Sequence, residues 1–493
     1  MVRGFFGGSM ADEKKKTNHA PEPGDDGAMV KFLSLFAVVH ASEVFSVLML
    51  TLDGVLLLAS YYFLKVIREP LILAAPGGPQ IKSYATAFLA ILLIGVFYGY
   101  RALAQRFDRM KLITYTKLFC VACLVAFSFA GRAGLSIGIP FFLWVGCYSL
   151  TIIAQLWSFA NDIYTPEQGK RVFTIIGVGS SIGALIGSRL AGMAVKPLGY
   201  FNMMLVPAGI LVVCLAIIRL VNAHETVDEA RKKEAAKPPA GAGGVATIVG
   251  DRYILLIAAI ILMVNLINTN GEYILDRTLD AVTHARNLDE KETKIYLGEF
   301  KANYFFWANL AGVVLQLFVA SRVFKWLDVR GTLFLYPLLT LASYSTMSVM
   351  PVLGVVLVGK ICENSLDYSI YNQAKQTLWL PTTREQKYLG KQAVDTFVVR
   401  AGDFVAGLLV GGMALALPAI TGGNIEDPHW TRAFTVTNVI FAGCFLGVVV
   451  LMRREHKKRL EKAEAEDPKI KEEAEKARNG GKKGKFETEE AKT

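Results

Sequence analysis

The sequence predicts an all-α polytopic membrane protein, with twelve transmembrane helices in two pseudo-symmetric six-helix halves. Three observations carry this. Twelve apolar runs are each near the 20 residues a helix needs to cross ~30 Å of hydrocarbon. Lys and Arg gather in alternate connections between the runs. Short motifs recur on either side of one polar linker. Of the 493 residues, 53% are hydrophobic and 19% charged, too apolar for a single soluble globule. The formal net charge of +11 would suit a nucleic-acid binder, but the basic residues are spread through loops and tails, so no nucleic-acid partner is expected.

Residues 1–44 read as a cytoplasmic leader ending in a short lead-in helix. Lys14-Lys15-Lys16 and Asp25-Asp26 are not followed by the apolar core of a signal peptide. The first six spans fall at 45–67, 84–103, 112–131, 138–161, 172–195 and 200–221, forming a half over 45–221. A linker over 222–252, charged and then rich in Ala, Gly and Pro, precedes the second half, 253–452. Its spans fall at 253–275, 301–322, 331–350, 352–374, 390–417 and 432–452, with a mixed-charge segment at 280–301 that reads as a short amphipathic helix. A charged tail, 453–493, closes the chain.

Basic residues follow the even-numbered spans: Arg106, Arg109 and Lys111; Lys170 and Arg171; Arg231 to Lys237; Arg322, Lys325 and Arg330; Arg384 and Lys387; Arg453 onward. The alternate loops hold little beyond Lys82, Arg132 and Lys196. The positive-inside rule then puts both termini in the cytoplasm. Arg106-Phe-Asp108-Arg109 is echoed by Lys325-Trp-Leu-Asp328, and Thr165-Pro-Glu167-Gln168 by Thr383-Arg-Glu385-Gln386. Two facing six-helix halves with a site between them at mid-membrane is the architecture of major facilitator transporters.

The first span ends Leu64-Lys65-Val-Ile-Arg68-Glu69-Pro70, followed by Ala75-Pro76. With Trp157-Ser-Phe-Ala-Asn161-Asp162, Tyr368-Ser-Ile-Tyr371, Leu380-Pro381 and Gly390-Lys391-Gln-Ala-Val-Asp395, this resembles the ATP:ADP antiporter (nucleotide transporter) family of plastids and intracellular bacteria, over roughly residues 45–452. The resemblance implies a major facilitator-like fold, a bacterial inner membrane, exchange of an anionic solute such as ATP for ADP, and no cofactor. The chain departs from the family where acidic residues are usual, at Val145 and near Asn268, and where a basic one is usual, near Asp403.

Charges at bilayer depth cost about 2.5–3.5 kcal/mol each even on lenient scales, so they mark either interfacial anchors or a wet interior. Lys65, Arg68 and Glu69 share one helical face, and Lys65 is the candidate contact for an anionic solute. Setting span seven against span one puts Arg68-Glu69 over Asp276-Arg277 with the signs reversed. This suggests an outer gate pairing Arg68 with Asp276 and Glu69 with Arg277, the other reading being static anchors. Span ten carries Lys360, Glu363, Asp367 and Tyr371 on one stripe. The candidate solute contacts are Lys65, Arg68, Asn161, Asn268, Glu272, Glu363, Asp367 and Tyr371. Asp162 and Lys375, beside Asn161 and Asn372, form a candidate inner gate, or merely cap helix ends. Arg400 and Asp403 at i, i+3 are expected to pair with each other. Asp53 reads either as a coupling-proton site or as a packing hydrogen bond.

The run Gly177-Val-Gly179-Ser-Ser-Ile-Gly183-Ala-Leu-Ile-Gly187 lacks the Lys-Ser/Thr ending of a phosphate loop and reads as a close-packing helix face. The six cysteines, Cys120-x-x-Cys123 included, lie within apolar spans and read as small buried hydrophobes. No metal-ligand spacing, nucleophile–base set or cofactor fingerprint points to an enzyme. The leading reading is a secondary transporter of an anionic solute by alternating access. A carrier of a non-nucleotide solute and a non-transporting membrane scaffold stay open.

Overall fold

A computed structural model describes residues 40, 43–224, 244–383, 386, 390–421 and 429–466. Nearly all of the predicted leader and lead-in helix, most of the linker and most of the charged tail lie outside the described residues. Among the described residues twelve long helical spans follow one another, with a short helix at Gly244–Gly250 ahead of the seventh: α1 (Val44–Leu73), α2 (Gly78–Arg106), α3 (Arg109–Arg132), α4 (Gly138–Ile163), α5 (Pro166–Met203), α6 (Leu205–His224), α7 (Arg252–Ala285), α8 (Glu290–Thr332), α9 (Leu335–Val349), α10 (353–377), α11 (391–421) and α12 (His429–Glu466). Ten of these, among the described residues, are long and apolar enough to cross a membrane on their own. The other two are α9, of 15 residues, and α10, which carries Lys360, Glu363, Asp367 and Lys375.

Most helices run past their predicted ends, because hydropathy fades before backbone hydrogen bonding does. Pro70 removes one N–H from α1, but the helix continues to Leu73, and Ala74 N–H donates to the Pro70 carbonyl at 3.1 Å. Gly77 at φ +68° turns the chain into α2, a conformation only glycine takes without strain. The segment predicted as a separate helix at 280–301 is instead the end of α7 and the start of α8, joined across Asn287 at φ +52°. An Asp289/Glu292 capping box starts α8 there. Short π-helical stretches interrupt α8, α10 and α11, at Leu315–Val319, Asp367–Tyr371 and Val394–Val398.

In the first bundle α1 packs on α4, α5 and α6, and α3 on α6. In the second, α7 packs on α10, α11 and α12, and α9 on α12. The bundles meet through α5 against α8 and α2 against α11, two contacts related by the internal repeat, with α1 and α7 between them. Within the first bundle the glycine run of α5 packs backbone to backbone on α1. A Cβ on Gly183 would lie 2.2 Å from the Val55 carbonyl oxygen, and one on Gly187 2.4 Å from that of Ala59. Backbone-to-backbone approach of this kind is how helices associate where lipid removes the hydrophobic driving force.

The repeated Thr-x-x-Gln motif has a physical role in both bundles. Thr165 and Gln168 form the capping box of α5, and Gln168 Nε2 donates to Glu43 at the N-terminus of α1 at 2.8 Å, with Arg171 3.0 Å from the same carboxylate. Gln386 bonds back to Thr383, and its Nε2 donates to Asp251, the N-cap of α7, at 2.7 Å. Arg459 of α12 supplies the second bundle's cation, 2.9 Å from Asp251. Burial pushes the Asp251 carboxyl up, but the hydrogen bonds and charge of Arg459 and the N–H groups of Tyr253 and Ile254 outweigh it and hold it below the ordinary carboxylate range.

Replacing Gly183 with leucine forces α5 away from Val55 and should lower the stability of the detergent-solubilised protein by about 1–3 kcal/mol, the usual effect of overpacking. Gly177→Ala, whose Cβ would meet nothing within 4 Å, should leave the melting temperature unchanged in the same fluorescence-monitored unfolding assay.

Candidate functional site

Between the bundles lies a cavity of about 550 Å³, lined from α1 by Tyr61, Lys65, Arg68 and Glu69, and across from them by Glu272 of α7 and Phe305 of α8. Ionisable groups from both bundles close one end. Lys82 Nζ lies 2.5 Å from Glu69 and 2.6 Å from Asp276. Lys301 Nζ bonds Asp276 and stands 3.7 Å from both Glu69 and Glu272. Two carboxylates and two ammonium groups from α1, α2, α7 and α8 thus alternate around one point, with their side chains at most 10% exposed. An apolar layer that includes Ile72, Leu73, Leu279 and Leu297, again from both bundles, packs beside them. Buried charges are tolerable when paired and hydrogen-bonded in this way, and removing one partner typically costs 3–5 kcal/mol.

The predicted pairing of this gate is corrected. Arg68 donates to its neighbour Glu69 at 3.1 Å and stacks over Phe142 at 4.6 Å, and the cation on Asp276 is not Arg68. Glu69 is held by Lys82, not Arg277. Lys82 reaches both acids because α2 begins at Gly78, a turn and a half before its hydropathy rises, which draws an apparent loop lysine into the bundle. Lys301 is likewise inside α8, fully buried. Sequence reading misses both, and the available signal was a lone lysine at each edge of an apolar run.

At the other end of the cavity the ion pairs stay within one bundle. Asp162 pairs with Arg109 at 3.0 Å and Lys375 with Asp367 at 2.7 Å, so the predicted inner gate between Asp162 and Lys375 is not formed in this conformation. Asn161 is exposed and donates to the Trp157 carbonyl at 2.9 Å. The α4 wall toward this end, including Leu150 and Ala154, is exposed. The cavity is therefore sealed where α1 ends and open where α4 ends.

Lys65 faces the cavity 4.2 Å from the Phe305 ring centroid and 5.3 Å from that of Tyr62, and among the described residues no carboxylate lies within ion-pair distance of it. Asn268 and Glu272 also line the cavity. Glu272 accepts from Tyr304 at 2.6 Å, and Asn268 accepts from Lys360 at 2.8 Å. Glu363 and Tyr371 do not reach the cavity. Glu363 is fully buried among Lys360, Tyr336 and Tyr344, and Tyr371 packs on Tyr336 and Phe445. Glu363, before the π-helical stretch, and Tyr371, at its end, both meet Tyr336 of α9, so the stripe faces α9 and the core, and it is Tyr368 that lines the cavity. Asp367, engaged with Lys375, also stands off it. Arg400 and Asp403 pair at 3.0 Å as expected, within the cavity wall, and Thr269 donates to Asp403 at 2.9 Å.

No family model matches the chain. It is similar to the ADP,ATP carrier protein 1 of Chlamydia muridarum, 23% identical over 84% of this chain and 80% of that one, and to that of Chlamydia pneumoniae, 24% identical over 84% and 83%. The ADP,ATP carrier protein 5 of Rickettsia felis is 20% identical over 80% of this chain and 92% of its own. Among solved structures, an inward-facing bacterial homologue of the lysosomal transporter Spinster superposes with a TM-score of 0.59 at 14% identity, over 85% of this chain and 98% of that one. The nucleoside transporter NupG does so at 0.58 and 10% identity, over 82% and 98%. These likenesses show the fold to be that of major facilitator-like transporters.

Lys82→Met should loosen the sealed end, leaving Glu69 and Asp276 to share Lys301. A cysteine introduced at buried Leu73 should then react with a membrane-impermeant maleimide at least about tenfold faster, since each 1.4 kcal/mol is a factor of ten. Adding Asp276→Asn restores charge balance and should bring the labelling rate back toward that of the parent.

Proposed function

We infer that the chain is a secondary transporter of the nucleotide-transporter family, moving an anionic, phosphate-bearing solute between the bundles by alternating access. The observation that carries this reading is Lys65, a cation with no carboxylate partner among the described residues, in a cavity whose other charges are engaged. A flexible ammonium binds phosphate as a point charge. Tyr61, Phe305 and Tyr368 around it offer ring faces to a base. The names of the chlamydial and rickettsial relatives favour exchange of ATP for ADP. By the positive-inside rule the sealed end is the outer one and both termini are cytoplasmic, so this conformation opens inward.

Transport then proceeds through the ion cluster. Opening the outer end separates Lys82 from Asp276 and Lys301 from Glu69, and water takes over the released groups. Because hydration replaces pairing, the two states differ by far less than the cost of stranding one charge in a dry site. The solute's own charge at Lys65, close beneath the cluster, completes the bias toward switching, since a ligand shifts an equilibrium only by its differential affinity for the two states.

Purified protein in liposomes loaded with ADP should take up labelled ADP or ATP, and uptake should depend on internal nucleotide. Lys65→Gln should raise the half-saturating concentration about tenfold or more, in line with losing a charge-assisted contact of 1.5–3 kcal/mol. Uptake of another organic anion in preference to nucleotide would select the non-nucleotide reading. Uptake of no solute at all would overturn transport.

A further inference from the structure

The first bundle contains a second polar site that the solute pathway does not use. Asp53 of α1 is fully buried, and Lys117 of α3 and Gln155 of α4 are each 1% exposed. Both carboxylate oxygens of Asp53, the Lys117 ammonium and both amide atoms of Gln155 lack a hydrogen-bond partner in the protein. Lys117 is near enough for its charge to act on Asp53, and the Cys214 thiol of α6 lies beside it. Tyr148 of α4, Cys120 of α3 and Tyr100 of α2, the last beside Gln155, are further titratable groups here, and the Tyr148 hydroxyl is taken by Ser60 at 2.7 Å. On its remaining side, at Gly54, α1 meets Ile176 and Ser180 of α5, which do not titrate. Buried polar groups are hydrogen-bonded in the great majority of native structures, so a cluster with several orphans calls for an explanation by function.

A route leads to the layer. A separate cavity of about 560 Å³ runs from Arg109, Asp162 and Asn222 at the open end of the molecule inward to Ile113 and Gln155. Ile113 lies one helical turn before Lys117 on α3. The layer offers three unpartnered oxygens, two on Asp53 and one on Gln155. A hard metal cation takes six or more oxygen ligands, and the Lys117 ammonium would repel it. A proton needs only one of these oxygens; the Lys117 charge opposes it as well, so binding it gives up the attraction between Asp53 and Lys117 in return for removing a buried carboxylate charge.

We propose that Asp53 is a proton-binding site, paired with Lys117 in its ionised form and reached through the α3–α4 cavity, and that its protonation couples solute movement to a proton. The proton comes from water in that cavity and adds to Asp53 Oδ. Lys117 keeps its own proton, so the net charge of the layer passes from zero to +1. The ionised pair draws α1 toward α3, and protonation releases that attraction. Since α1 also carries Lys65, Arg68 and Glu69, its position relative to α3 and α4 acts directly on the cavity and its seal.

The coupling rests on the transport reading, whereas proton binding does not, and two measurements separate them. In ADP-loaded liposomes, the rate of labelled ADP uptake with an imposed acid-outside gradient is divided by the rate at symmetric pH. The wild type should give a ratio of several-fold, and Asp53→Asn a ratio of one. The double variant Asp53→Asn/Lys117→Met, which leaves no buried charge behind, should also give one. A ratio of one in the wild type, or a wild-type ratio in the double variant, overturns the coupling. If the wild type carries no nucleotide, the nucleotide reading fails, and infrared spectroscopy of detergent-purified protein decides the site alone. A protonated-carboxyl stretching band that titrates with pH and vanishes in Asp53→Asn supports it. Its absence from the wild type, or its persistence in the variant, overturns it.

Discussion

The alternating cluster of Glu69, Lys82, Asp276 and Lys301 is the contact on which this conformation depends. Each of the four residues comes from a different helix, two from each bundle: Glu69–Lys82 and Asp276–Lys301 pair within a bundle, while Lys82–Asp276 and Lys301–Glu69 tie one bundle to the other. A hydrophobic seal would hold the bundles together regardless of what lies beneath. An ionic one has two acceptable states, paired while dry or hydrated while open, and the balance between them is narrow. The apolar layer of Ile72, Leu73, Leu279 and Leu297 beside it keeps the paired state dry enough to matter.

Much of the fold was legible because two signals agreed. The apolar runs gave the spans, and the duplicated Thr-x-x-Gln motif gave the repeat, which proves to tie the start of α5 to that of α1 and Gln386, ahead of α11, to the start of α7. What stayed illegible was contact geometry. Reversed charges at Arg68-Glu69 and Asp276-Arg277 invite direct pairing, but a helix places adjacent residues about 100° apart, so the two members of each dipeptide cannot both face the partner helix. Lysines from α2 and α8 bridge the two acids instead. The stripe on α10 failed for a different reason, since a row of charges inside a span does not say which neighbour it faces: Lys360, Glu363 and Tyr371 are buried, the last two against Tyr336 of α9, and Tyr368 lines the cavity.

The lining of the cavity holds four basic and four acidic residues, so a count of charges would not predict an anion site. Partnering decides the matter. Arg68 is held by Glu69, Lys82 by Glu69 and Asp276, and Arg400 by Asp403, which leaves Lys65. Behind the lining, Lys301 and Lys360 approach Glu272 at 3.7 and 3.9 Å and weaken the acid nearest the solute space. The departures from the family pattern near Asn268 and Asp403 also read differently in space. Asn268 accepts from Lys360, and Asp403 neutralises Arg400 within the wall. Both positions thus have their partners within the protein.

Helix α1 joins all of these elements. Within one 30-residue helix it carries Asp53, the aromatic and basic wall at Tyr61, Lys65 and Arg68, and the sealing carboxylate Glu69. Its outer side is fixed to α5 by contacts so close that only glycine fits at Gly183 and Gly187, so α1 and α5 must move together, and α5 is the helix that meets α8 of the other bundle. From Asp53 to Glu69 is about 24 Å along the axis at 1.5 Å per residue. A charge gained or lost at one end of such a rigid element is felt at the other as displacement, not as an electric field, which over that distance is screened to insignificance once water enters the cavity. Coupling by movement of one packed helix pair requires no chain of residues between the two sites, only that the α1–α5 unit have two positions and that the polar layer and the seal each favour one of them.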